Sequence, residues 1–283
     1  MKNFALVLAG GGARGFAHAG VLRGLERHGY RPSGIVGVSM GAIIGVTYAL
    51  REDWYEAILS MSLDAFPTPP GHAENASGGV VAPIRRAVDM VYAAWNMVAG
   101  WGAPQATIDA GRELLVHLFG DRKLEDGRIP AIVSATDLRS GSRVAFRKGS
   151  AVDAVYASAA LAGVVPPVTR DGEILADGAY ADVAPVDLAG ELGTDAVLAV
   201  DPGQLHGPEE VRNGLQAIMR AMEICHLRHA ELRFQEADLV FRPPFRRIVD
   251  TLELDARAEC MAAGLRAVRA ARDELRSVLG NPS

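Results

Sequence analysis

Residues 6–15 read LVLAGGGARG, an apolar run that ends abruptly in glycines. Such a loop admits few folds, because a chain leaves a buried strand this sharply only where no Cβ obstructs the turn. Glycine also lets a ligand approach backbone N–H groups closely. Two chemistries use the arrangement. As Gly10-x-Gly12-x-x-Gly15 between a strand and a helix, it would seat a dinucleotide pyrophosphate. As bare amides beside a nucleophile, it would hold the oxyanion of an acyl-transfer intermediate.

The next strand separates the two. A dinucleotide site calls for an acidic residue at the end of the second strand, about 20 residues beyond the loop. Residues 35–39, IVGVS, run instead into Gly37-Val38-Ser39-Met40-Gly41. That pattern, G-x-S-x-G, sets a serine on a tight strand-to-helix turn with its Oγ exposed above the sheet. The helix dipole behind it favours negative charge. Alone, the pentapeptide is equally well a plain turn serine. Beside a glycine loop on the neighbouring strand, the Gly11 and Gly12 amides face the acyl carbon that Ser39 attacks, with the Met40 N–H as a further donor. The loop is therefore expected to hold an oxyanion, and no nucleotide.

A serine hydroxyl needs a base. Asp177 follows the apolar run EILA and precedes Gly178-Ala179, so it too falls where a strand leaves the sheet. A partly desolvated carboxylate gains basicity and can take the serine proton directly. The competing reading is a turn aspartate, and Asp137, at the end of another strand, is the reserve base. Arg14 either braces the loop or contacts an anionic head group, or it is a solvated arginine at a helix start.

Strand and helix signals alternate through the first two hundred residues, the pattern of an α/β sheet. Strands are expected at 4–9, 35–39, 129–137, 143–147, 172–178 and 195–201, with a weak one at 237–241. Helices are expected after the glycine loop, at 40–52 and at 151–161. Residues 65–83 form a Pro/Gly/Ser-rich loop. Behind it, residues 84–101 carry two apolar stripes: Ile84, Val88, Val91, Trp95, Val98 and Met90, Ala94, Met97, Trp101. Such a helix is either buried or faces lipid, so a buried cap helix and a peripheral membrane contact both stay open. After residue 201 the chain reads as mainly helical. Val211, Leu215, Ile218, Met222, Cys225, His229 and Leu232 form one apolar stripe, and Met261, Leu265, Val268, Leu275 and Leu279 another.

Composition narrows the partners. The balance of 29 basic and 34 acidic residues, net −5, argues against general nucleic-acid binding. Cys225 and Cys260 lack metal or disulfide-framework spacing, no His/Cys/Asp/Glu cluster has ligand spacing, and no organic cofactor is called for. A cytoplasmic setting is expected. The N-terminus imitates a signal peptide, but Arg14 interrupts it just before the apparent cleavage site. No apolar run reaches the roughly 18 residues of a membrane span.

The chain resembles the bacterial patatin-like phospholipases in four blocks that come in the family's order: LVLAGGGARGFAHAGVLRGL, IVGVSMGAIIGVTYA, ASAALAGVVPPV and DGAYADVAPV. The resemblance implies a three-layer α/β/α fold around a mainly parallel sheet, with a helical C-terminal extension. It implies a patatin-like domain over 4–200, a variable lid or cap over 53–104, and an extension over 201–283. It also implies an oxyanion loop from Gly10, Gly11, Gly12, Ala13, Arg14 and Gly15, an elbow of Gly37, Met40 and Gly41, and a dyad of Ser39 and Asp177 completed by Gly178-Ala179. Ala162 stands where members often carry proline. The expected reaction is hydrolysis of a lipid carboxylic ester without metal or cofactor. A thioesterase or acyltransferase with the same dyad, and a lipid-binding regulatory protein, are the alternatives.

A triad would need a histidine after the acid. His206, His226 and His229 qualify by position, although His229 reads as a core histidine on its apolar stripe. His18 reads as packing beside the loop, and Asp201-Pro202 as the start of a turn.

Overall fold

The first strand sets the layers. In β1 (Phe4–Leu8) every residue is buried, with Phe4, Leu6 and Leu8 in one apolar core and Ala5 and Val7 in a second. A strand apolar on both sides belongs inside a parallel sheet covered on both faces. The computed structural model describes residues 1–61, 105–162, 165–204, 211 and 214–282.

Parallel to β1 lie β2 (Gly34–Val38) on one side and β7 (Ala196–Val200) on the other. Strand β3 (Ala131–Asp137) continues the parallel set beyond β2, and β8 (Leu239–Phe241) beyond β7. Antiparallel to β3 run β4 (Arg143–Phe146) and β6 (Glu173–Asp177), and β5 (Val168–Arg170) closes the edge against β6. The order is β5-β6-β3-β2-β1-β7-β8, with β4 paired to β3 off that path. The chain reverses direction across the sheet between β1 and β7, the switch point at which α/β sheets hold ligands. All the expected strands are present; β5 is additional.

Among the described residues, one layer contains α1 (Ala17–Arg27), α2 (Met40–Leu50), α3 (Trp54–Ser60), α4 (Gln105–Phe119) and α5 (Ala151–Ser158), packed on the Phe4 side of the sheet. On the other side lie α6 (Val186–Ala189) and the end of α7 (Gly214–Arg233), through Leu188 and Ala230. All eleven residues of α2 are buried, which fits its largely apolar sequence. The C-terminal third is built into the molecule: β8 extends the sheet, and α8 (Arg257–Ala270) crosses α1 almost in backbone contact. A Cβ on Gly20 would stand 2.0 Å from the Met261 carbonyl, and one on Gly264 2.1 Å from that of Ala17. A short final helix, α9 (Arg272–Leu279), follows a break at Ala271.

Two helical expectations are corrected. The helix expected over 151–161 stops at Ser158. The stripe on α7 is split: Ile218, Cys225 and Leu232 are exposed, and His229 is only half-buried rather than a core histidine. Met222, on the same stripe, turns inward with His226 and Ala230 of the neighbouring face. No described helix is long and apolar enough to cross a membrane. Residues 65–83 and 84–101 lie outside the described residues.

Candidate active site

Ser39 occupies the turn between β2 and α2 with φ 54° and ψ −124°, a positive-φ conformation that side chains larger than glycine seldom adopt. The flanking glycines make room for it. A Cβ on Gly41 would lie 2.1 Å from the Leu8 carbonyl oxygen, and one on Gly37 2.6 Å from the Ala42 Cα. The Ser39 N–H donates to Ser158 Oγ at 2.9 Å, and that hydroxyl donates onward to the Ser134 carbonyl at 2.6 Å. The strained turn is thus tied to β3 through a wholly buried serine.

The Ser39 hydroxyl donates to Asp177 Oδ2 at 2.6 Å. The other carboxylate oxygen accepts the Ala179 N–H at 2.9 Å, while the Asp177 carbonyl accepts the Thr136 hydroxyl at 2.8 Å. Gly178 lets the turn pass against β3, since a Cβ there would meet the Ser134 carbonyl at 2.2 Å. Asp177 is 3% exposed. Burial pushes its pKa up to about 6, against the opposing pull of the Ser39 and Ala179 hydrogen bonds. The carboxylate is therefore a stronger base than a solvated one and still ionised at neutral pH.

The glycine loop divides its amides. Gly10 donates to the Val183 carbonyl at 3.0 Å and Ala13 to that of Thr251 at 2.8 Å. No described residue accepts from the Gly11, Gly12 or Met40 N–H. Gly12 has φ +54°, and a Cβ on it would sit 2.3 Å from the Thr251 carbonyl oxygen; one on Gly11 would strike Pro202 Cγ at 2.5 Å. Gly15 makes way for Met40, whose Cβ would lie 2.6 Å from an added methyl.

Arg14 is a brace, not a solvated arginine. It is buried, with Nη1 3.1 Å from the Val249 carbonyl and 3.7 Å from Glu223 Oε1. It links the loop to α7 and to the segment after β8, and desolvation lowers its pKa. Asp137 is excluded as the base. It accepts the Ser140 hydroxyl and the amides of Arg139, Ser140 and Ile174, which hold its pKa down to about 2. Asp201 starts a turn, as expected, accepting the Gly203 N–H at 2.9 Å.

His18 packs under the loop with Nε2 2.8 Å from the Ala9 carbonyl, and burial lowers its pKa to about 4. His226 lines the cavity beside Tyr180, ring centroids 5.9 Å apart, and burial lowers its pKa too. No imidazole stands between Ser39 and Asp177. His206 lies outside the described residues. Among the described residues no group of three His, Cys, Asp or Glu side chains could hold a metal ion.

Sequence reasoning missed Ser158 and Thr136, which orient the two junctions; neither carries a local signal, because both act across the sheet. It also missed the reason for Ala162: its N–H donates to Tyr180 Oη at 2.9 Å, a bond proline could not make. Ser39, Asp177 and the loop open into a cavity of about 210 Å³. Its walls are mostly apolar, from Ile43, Met61 and Leu114 on one side of the sheet to Val183 and Leu227 on the other.

A match to the family described as patatin-like phospholipase covers residues 6–189. Lysophospholipase NTE1 of Coccidioides immitis (strain RS) is 35% identical over 208 residues, 72% of this chain and 12% of that protein. The mouse patatin-like phospholipase domain-containing protein 7 is 30% identical over 201 residues, 70% of this chain and 13% of the other. The chain thus spans about an eighth of the length of these relatives. The crystal structure of VipD from Legionella pneumophila superposes with a TM-score of 0.50 at 14% identity, covering 98% of this chain and 67% of that one; this likeness concerns the fold alone.

Proposed function

The chain belongs to the patatin-like phospholipase family, and on that premise we propose that it hydrolyses carboxylic esters of lipids, of the phospholipase A or lysophospholipase type, through Ser39 and Asp177. The 2.6 Å bond between the Ser39 hydroxyl and a buried, basic carboxylate carries the reading. Ser39 Oγ attacks the ester carbonyl while Asp177 takes its proton. The oxyanion forms beside the uncommitted Gly11 and Gly12 amides, where preorganised donors act most strongly. Asp177 then returns the proton to the departing alkoxide. Water, deprotonated by the same carboxylate, attacks the acyl-serine; the bond to Ser39 Oγ breaks, Asp177 returns the proton to that oxygen, and the fatty acid leaves. The low-dielectric cavity favours each charge movement because nothing must reorient at the moment of reaction.

Residues 4–200 form the catalytic unit in this reading, 53–104 its lid or cap and 201–283 the extension. The four motif blocks support a place among the bacterial members, whereas the relatives compared are fungal and murine. We also propose a cytoplasmic protein in peripheral contact with membranes. The test is labelling with a fluorophosphonate probe, followed by assays on lysophospholipid and acyl-CoA with and without an alcohol acceptor. Wild type should label and release fatty acid from the lysophospholipid, and Ser39→Ala should do neither. Turnover retained by well-folded Ser39→Ala would overturn the reading. Acyl transfer only in the presence of the alcohol would redraw it as a transferase.

A further inference from the structure

Ser39 and Asp177 do not come from neighbouring strands. Ser39 follows β2, Asp177 ends β6, and β3 runs between the two. Strands two places apart are separated by about 9.6 Å, so no ladder hydrogen bond joins the nucleophile to the carboxylate. Their separation has to be fixed from across the end of β3.

The stretch at the end of α5 reaches both. The Ser39 N–H donates to Ser158 Oγ at 2.9 Å, and the Asp177 N–H donates to the Ala160 carbonyl at 2.9 Å. Ser158 and Ala160 are wholly buried, while Ala159 and Leu161 line the cavity. Ala162 adds a third bond, to Tyr180 Oη, three residues beyond Asp177. The early end of α5 permits this. A helix continuing past Ser158 would draw the Ala160 carbonyl into its own ladder; instead that carbonyl turns to Asp177.

Ser158 carries the more demanding half. The ladder between β2 and β3 ends at the pair Val38↔Ser134, and the next amide along the chain is that of Ser39. Where the chain turns away into α2, the Ser158 hydroxyl fills the gap, accepting from Ser39 N–H and donating to the Ser134 carbonyl at 2.6 Å. A hydroxyl can do both at once. Among the described residues nothing else accepts from that amide. Ser39 holds a positive φ, a conformation that persists only where its surroundings over-determine it.

We propose that Ser158 is a positioning residue for catalysis: with Ala160 it sets the span between Ser39 and Asp177, and so the 2.6 Å bond between them. Ser158 does not line the cavity; it acts through the peptide of the nucleophile. The inference rests on the reading of Ser39 and Asp177 as the reacting pair. Its consequence is readable on Asp177. The hydrogen bond from Ser39 opposes the upward pull of burial there, so loosening it lets the pKa climb above about 6. Arg14, Asp201, Glu223 and His226 line the same cavity without perturbing that carboxylate, and Tyr180, pushed up to about 12 by burial, stays neutral throughout.

The experiment compares wild type with Ser158→Ala, Ser39→Ala and Val155→Ala. Asp177 is titrated by carboxyl-carbon NMR, and kcat and KM are followed against pH on a soluble ester. Ser158→Ala should lower kcat by about tenfold to a hundredfold with KM little changed, since misplacing a reacting group by about 1 Å costs up to ~10². Its Asp177 midpoint and the acid limb of kcat/KM should rise by about half a pH unit or more, in the direction of Ser39→Ala, which removes the bond outright. Ser158→Cys, a weak donor and acceptor, should fall between Ser158→Ala and wild type. Val155→Ala truncates the core on the same helix; it should melt lower yet keep the wild-type midpoint, and kcat within a few-fold.

Wild-type kcat in well-folded Ser158→Ala would overturn the proposal. So would a slower variant whose midpoint stays put, because its loss would then follow stability alone. The NMR titration needs no turnover, which keeps the two readings apart. A midpoint that moves in Ser158→Ala, while wild type hydrolyses no ester, would defeat the lipid-ester reading and leave the positioning role standing. Hydrolysis by wild type with a midpoint unmoved in Ser158→Ala would do the reverse.

Discussion

Asp137 and Asp177 stand at opposite ends of one short antiparallel ladder, between β3 and β6. Both end a strand, both are buried, and both precede a turn. Their surroundings differ in the supply of donors. Asp137 accepts three backbone amides and a hydroxyl within its own corner, and its pKa falls to about 2. Asp177 receives one amide and the Ser39 hydroxyl, too little to offset burial, and its pKa rises to about 6. A saturated carboxylate fixes a turn and is useless as a base. An undersupplied one keeps its basicity, and in the proposed mechanism its spare hydrogen bond activates the nucleophile.

The largest test of this contrast is kinetic. Asp177→Asn should lower kcat by about a hundredfold or more, since a general base supplies ~10²–10⁴ and an amide cannot take the proton. Asp137→Asn should stay within a few-fold of wild type while melting a few degrees lower. Equal losses in kcat from the two variants would break the comparison. In wild type, kcat/KM should rise with pH through about 6 and then level, as the Asp177 carboxylate ionises.

Stability should move the opposite way. Between the ordinary carboxylate range and about 6, folded protein holds a proton on Asp177 that the unfolded chain has released. Stability from this group is therefore full below that window and declines as pH rises through it. At neutral pH the buried charge is a standing cost that Asp177→Asn removes, on the order of 1–3 kcal/mol. Asp137 has the reverse sign: its contribution is present above the ordinary carboxylate value and disappears as pH falls toward about 2. Urea titrations across the acid range should show Asp177→Asn gaining most over wild type at neutral pH. Asp137→Asn should lose least at the acid end. Destabilisation of Asp177→Asn at neutral pH would mean that its hydrogen bonds outweigh its burial.

The two junctions that bring Ser39 and Asp177 together were legible because their backbone is demanding. A positive-φ serine needs glycine at Gly37 and Gly41, and the turn after Asp177 needs it at Gly178, so the geometry leaves a mark in the sequence. Ser158 and Thr136 leave none, since what they hold lies on other strands. Arg14 stayed ambiguous because its partners, Val249 and Glu223, come more than two hundred residues later. His229 on α7 was misread as a core histidine for a general reason: periodicity identifies residues that share a helix face, not which face meets the core. The three-residue β5 is too short for alternation to register.

The smallest expected effect concerns the histidines, and it sharpens the comparison by asking whether Asp177 acts alone. In a triad the acid orients an imidazole, so one carboxylate oxygen would face a ring nitrogen. Here Asp177 spends one oxygen on the Ala179 N–H and the other on Ser39 itself. His18 is committed to the Ala9 carbonyl, a bond that a glutamine amide can also donate. His226 is on the cavity wall against Tyr180. His18→Gln and His226→Gln should each keep turnover within about an order of magnitude, a margin of ~1.4 kcal/mol for lost packing or positioning. Steady-state kinetics on a soluble ester, with circular dichroism to establish folding, is the measurement. A well-folded histidine variant as slow as Asp177→Asn would show that the carboxylate works through an imidazole. The difference between Asp177 and Asp137 would then lie in what each orients rather than in how basic each one is.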